Sequence, residues 1–99
     1  MKGMENLKIF YGETFIETAT LVGSKINYPI KLEYYKINQE KKYGIEIVKK
    51  NLKNRKLEIE QERILNITTS KRKICKILEK LKRNQVMPIN LSEIVKDML

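Results

Sequence analysis

The sequence predicts an α+β domain: a small antiparallel β-sheet meander of about four strands, followed by two C-terminal helices packed on one face. Three observations carry that reading. Up to Thr68 apolar and polar residues alternate with a period of two. After Thr68 the apolar period lengthens to about 3.6 residues. Short polar turns separate the alternating runs, which favours hairpins over crossovers.

The first strand reads most clearly in Glu13–Val22, ETFIETATLV, where Phe15, Glu17, Ala19 and Leu21 alternate with Thr14, Ile16, Thr18 and Thr20. Gly23, Asn27 and Pro29 then punctuate a turn. Ile30, Leu32 and Tyr34 alternate with Lys31 and Glu33, as in a strand with one wet face. The doublet Tyr34-Tyr35 shifts the alternation through a bulge and leaves Tyr35 and Ile37 on the opposite face. Asn38–Lys42 is a polar hairpin loop. Tyr43, Ile45 and Ile47 alternate with Gly44, Glu46 and Val48 in a third strand. After the polar turn Lys53–Lys56, Leu57 and Ile59 alternate with Glu58 and Glu60. The pattern resumes at Ile64, Leu65 and Ile67 after the polar Gln61-Glu62-Arg63. All strands fall within residues 7–68 of a single domain spanning 1–99.

The first helix covers about residues 70–84. Ile74, Ile77, Leu78 and Leu81 form one apolar stripe at spacings of three, four and seven, with Thr69 or Ser70 as cap and Asn84 at the C-terminal end. Val86-Met87-Pro88-Ile89 is an apolar connector. Asn90 and Glu93 resemble a capping box opening a helix over about 91–98, with Leu91, Ile94, Val95 and Met98 on one face.

Composition narrows the function. Ninety-nine residues with 41% apolar and 33% charged side chains make one modest core. A single cysteine, Cys75, excludes an internal disulfide framework and fits a reducing compartment. The N-terminal MKGMENLKIFYGETF has no continuous apolar segment, and no stretch approaches the ~20 apolar residues of a membrane span. The expected location is the cytoplasm, with no membrane role. The net charge is +9, but 17 of the 21 cations are lysine. Specific base and phosphate readers lean on arginine, and only Arg55, Arg63, Arg72 and Arg83 are present.

Residues of the YGIEI strand (Tyr43–Ile47), the NIT segment (Asn66–Thr68) and the tail Val86–Leu99, including PINLSEIVKDML, resemble a small uncharacterised protein family, a domain of unknown function of low-GC Gram-positive bacteria. The resemblance spans roughly residues 34–99 and implies a bacterial cytoplasmic domain with no catalytic residues assigned.

No catalytic chemistry emerges from the residues. The chain has no histidine, and Cys75 sits beside the helical stripe with no histidine partner, so it reads as a small helix residue and not a nucleophile. A lone cysteine makes no zinc site. Glu58, Glu60 and Glu62 share a strand face, but hard cations want oxygens converging from several segments, so a wet face opposite cations of the neighbouring strand is the expectation. Gly23 and Gly44 are isolated and make no phosphate loop. No enzyme activity, cofactor, metal or small-molecule substrate is expected.

Two binding surfaces remain. Residues 70–84, SKRKICKILEKLKRN, carry seven cations and one carboxylate, and Lys73, Lys76, Lys80 and Arg83 share the face away from the apolar stripe, a candidate polyanion or nucleic-acid site. The other is the sheet face turned from the helices, where Ile16, Val48, Tyr35 and Ile37 would lie unless Leu7–Tyr11 covers them. A partner protein or a second copy, as a homodimer, would bury it. The expected function is an accessory or regulatory role through protein contacts, with nucleic-acid binding through residues 71–83 as the alternative.

Overall fold

Alternation gives each strand of this chain an apolar face with somewhere to go, and the helices decide which face is buried. In the computed structural model, residues 6–16, 30–53 and 56–99 are described. They form strands β1 Leu7–Ile16, β2 Ile30–Asn38, β3 Tyr43–Lys53 and β4 Lys56–Thr68. The helix α1 Lys71–Arg83, a single 3-10 turn at Pro88–Asn90 and the helix α2 Leu91–Met98 follow. The strand order is β1-β2-β3-β4, every neighbouring pair antiparallel, so the predicted meander and its two C-terminal helices are the observed fold.

One face of the sheet supplies Leu32 and Tyr34 from β2 and Ile45 and Ile47 from β3. They pack against Ile74, Ile77, Leu78 and Leu81 of α1, Val86, and Leu91 and Val95 of α2. Full burial of an aliphatic side chain stabilises by about 1.5–3 kcal/mol, so this single cluster is the main source of stability. The Tyr34 hydroxyl, inside the cluster, donates to the Val86 carbonyl at 3.0 Å, which satisfies a buried polar group and ties the interhelical connector to β2. Ser70 caps α1 by accepting from the Lys73 amide. Asn90 occupies the N-cap of α2, but its side chain makes no capping hydrogen bond, so the expected capping box is not formed.

Several local expectations are corrected. β1 begins at Leu7, so Leu7–Tyr11 is an edge strand paired to β2 and not a cover over the sheet. The segment 17–22, read as the rest of the first strand, lies outside the described residues. β2 has no bulge at Tyr34-Tyr35; plain alternation puts Tyr35 and Ile37 opposite Tyr34. The register shifts lie elsewhere, between Phe10 and Gly12 and between Tyr43 and Ile45. β4 runs unbroken through Gln61-Glu62-Arg63, because an edge strand tolerates polar residues on both faces. Ile16, expected on the far face, packs against the helix-side core.

Gly44 explains one of these irregularities. A Cβ at this position would stand 2.5 Å from the Ile64 carbonyl oxygen, so β3 and β4 approach closely only because the residue is glycine. Nearby, Asn66 has φ 59°, in the left-handed region, and exchanges two 2.8 Å hydrogen bonds with the side-chain amide of Gln39 at the β2–β3 turn.

Candidate functional site

The four cations proposed for polyanion binding, Lys73, Lys76, Lys80 and Arg83, are all exposed along the outer side of α1. Among the described residues none of them pairs with a carboxylate. The helix's one acid, Glu79, accepts a 2.8 Å hydrogen bond from Tyr11 of β1. That bond, with partial burial and the Glu79 charge, pushes the Tyr11 phenol up to about 12. No acid lies in the first turn, where the helix dipole disfavours Lys71, Arg72 and Lys73 by a few tenths of a kcal/mol each. Cys75 is partly buried against the core.

The other sheet face has a more specific construction. Register brings together rows across the strands: Phe10, Tyr35, Glu46 and Arg63; then Glu13, Glu33, Val48 and Gln61; then Phe15, Lys31, Lys50 and Ile59. Among the described residues no helix packs on this face. Its centre is nevertheless buried, with Ile37 and Val48 inaccessible or nearly so, and two carboxylates, Glu33 and Glu46, only 5% and 3% exposed.

Each carboxylate is neutralised by groups around it, Glu46 from β1 and β4, Glu33 from β3 and from its own strand β2. Glu46 accepts from Lys8 Nζ at 2.8 Å and from Arg63 Nε at 2.7 Å. Glu33 accepts from the Tyr35 hydroxyl at 2.8 Å and pairs with Lys31 at 3.1 Å and Lys50 at 3.2 Å. Burial pushes both carboxyls up, but these hydrogen bonds and charges outweigh it and hold both below the ordinary carboxylate range. Tyr35 is pushed up to about 12, first by burial and then by its bond to Glu33. Its ring takes Phe10 edge-on at 5.6 Å and Lys8 Nζ at 4.3 Å from its centre. Around this polar centre stand exposed apolar side chains: Phe10 and Phe15 on β1, Leu52 on β3, and Leu57 and Ile59 on β4. Tyr35, Ile37 and Val48 lie on the face expected of them, Tyr35 and Ile37 without the expected bulge.

A family model described as a family of unknown function (DUF6514) matches residues 13–99. The chain belongs to that family. No curated protein and no solved structure matches it. In this DUF6514 domain the family match begins at Glu13, so Glu33, Glu46 and Arg63 lie within it while Lys8 and Phe10 precede it.

The sequence assigns no site role to Lys8, Glu33, Glu46 or Arg63, although Glu46 lies in the YGIEI segment that carries the family resemblance. Alternation alone marked Glu33 and Glu46 as outward-facing and wet. The available signal was their position on the two central strands, where a buried carboxylate needs partners, and for Glu33 the presence of Lys31 and Tyr35 two residues away on the same face of its strand. The glutamate row on β4 is only partly as expected. Glu60 faces Lys49 at 3.5 Å, whereas Glu58 and Glu62 stand opposite Asn51 and Ile47. Among the described residues no group of three acids, cysteines or histidines is placed to hold a metal, and no helix is long and apolar enough to cross a membrane.

Proposed function

We propose that this DUF6514 domain is a non-enzymatic accessory or regulatory protein of the cytoplasm that acts through protein–protein contacts, and that its contact surface is the sheet face opposite the helices. The observation that carries the reading is the exposure of Phe10 and Phe15, 53% and 52%, beside a desolvated charge network. Half-exposed aromatic rings around a buried, fully paired polar centre match the composition of protein contact surfaces, where aromatic residues and arginine are enriched. The test is a photo-reactive phenylalanine analogue at Phe15, compared with the same analogue at Lys76, in living cells. Covalent adducts to one identified protein, or to a second copy, at Phe15 and none at Lys76 support the reading. Adducts at Lys76 alone overturn it.

A second reading has its own support: the outer side of α1 carries Lys73, Lys76, Lys80 and Arg83 exposed and, among the described residues, without acidic partners. If those four met phosphates, log K for a nucleic acid would fall against log salt with a slope near −3.6, from about 0.9 per contact. Binding that collapses in this way and is lost in Lys73→Glu/Lys76→Glu would favour the helix over the sheet.

A further inference from the structure

The geometry points to a carboxylate-binding site at Lys8, Glu46 and Arg63, whose ligand is an acidic side chain of the protein partner. The inference rests on the sheet-face reading above and names the chemistry of what docks there. Glu46, on central strand β3, is 3% exposed and divides its oxygens between two cations: Oε2 to Lys8 Nζ and Oε1 to Arg63 Nε. A guanidinium held through Nε has two terminal Nη groups besides, and among the described residues Arg63 pairs with no carboxylate other than Glu46. The Lys8 and Arg63 side chains remain 38% and 44% exposed, so their donors reach solvent although the carboxylate between them does not. A hollow of about 420 Å³, lined by Lys8, Glu46, Gln61, Glu62 and Arg63, opens at this place.

The lining selects among anions. Two cations stand over one buried carboxylate, so the site carries one net positive charge; Glu62 also lines the hollow, but register sets it opposite Ile47, on the helix side of β4. A dianionic phosphate carries more charge than that one net positive charge offsets. A carboxylate carries one charge and presents two oxygens in the plane that an arginine fork matches. The exposed ring of Phe10 lies in the same cross-strand row and offers apolar contact to the rest of an acidic side chain.

The test follows the side-chain Nε–H resonance of Arg63 in the isotopically labelled full chain. The probes are a capped tetraglutamate peptide, a capped tetralysine peptide and inorganic phosphate. The glutamate peptide is expected to shift this resonance saturably, while the lysine peptide and phosphate leave it in place. Arg63→Lys keeps the charge but loses the fork, and is expected to weaken the glutamate peptide by about tenfold. Lys96→Ala, at an exposed position of α2 away from both surfaces, is expected to leave the affinity unchanged. An unmoved Arg63, or an equal response to phosphate, overturns the carboxylate site. If the glutamate peptide moves Phe10 and Phe15 but not Arg63, the site falls and the sheet-face reading stands. Shifts confined to α1 overturn both.

Discussion

Lys8 on the edge strand β1 reaches over the ring of Tyr35 on β2 and closes on Glu46 of β3, 2.8 Å from nitrogen to oxygen. Two interstrand spacings of about 4.8 Å lie beneath that reach. The extended lysine stem covers the aromatic face while its charge stays at the rim, so one side chain supplies both packing and neutralisation. Arg63 approaches Glu46 from β4, and the two cations together link all four strands across the face that the helices leave.

This arrangement is asymmetric in burial, and mutations should expose the asymmetry. In Glu46→Ala the freed cations, 38% and 44% exposed, can turn to water, and the expected loss is about 1–2 kcal/mol. In Lys8→Met/Arg63→Met the carboxylate is left buried without a partner, and the expected loss is larger, about 3–5 kcal/mol. Urea unfolding of the two variants decides the matter. Equal losses would mean that the burial of Glu46 is not what makes the cations necessary.

The pH profile has two limbs. Glu33 and Glu46 have folded pKa values below the ordinary 4.5, so their contribution is complete above that value and is lost as the pH falls through the folded pKa. Tyr11 and Tyr35 have folded values near 12 against an ordinary 10.0. Their contribution is complete below pH 10 and is lost as the pH climbs towards 12. Unfolding midpoints measured across pH should therefore show a plateau between these limits. Glu33→Gln/Glu46→Gln should flatten the acid limb and draw the Tyr35 part of the alkaline limb back towards 10, leaving the part set by Tyr11 and Glu79. An unchanged acid limb would place the acid sensitivity in other carboxylates.

Gly44 and Gly12 give a contrast between two glycines of the same sheet. A methyl at Gly44 meets the Ile64 carbonyl at 2.5 Å, and backbone cannot step aside as a side chain can. Gly44→Ala is expected to cost about 2–3 kcal/mol. The three atoms nearest a methyl at Gly12 all belong to the flexible side chain of Lys82, from 3.1 Å, and Gly12→Ala is expected to change stability by less than about 1 kcal/mol. Thermal unfolding of both variants checks this, and a Gly12 variant as unstable as the Gly44 variant would contradict it.

The fold was legible because each of its signals is local. A two-residue period, a polar turn and a 3.6-residue stripe are written in consecutive residues, and so is a cap at Thr69 or Ser70, of which Ser70 serves. What depended on pairing was not. Glu46 meets Lys8 across 38 positions of sequence and Arg63 across 17, and nothing in either neighbourhood announces the partner. Ile16 went to the wrong face for the same reason: the register shift between Phe10 and Gly12 resets the parity of β1 relative to β2. The exposed cations of α1 were found from sequence because helical spacing alone determines which of them share a side.

The most direct test of the contact surface is carbene footprinting of the same protein purified and inside cells. Phe10, Phe15, Leu57 and Ile59 are exposed in the structure and should be labelled readily in the purified chain. If the sheet face is the contact surface, these residues should be protected in cells while the outer side of α1 is labelled equally in both states. Protection confined to α1, with the four apolar residues labelled alike in both, would contradict the account and assign contact to the basic helix.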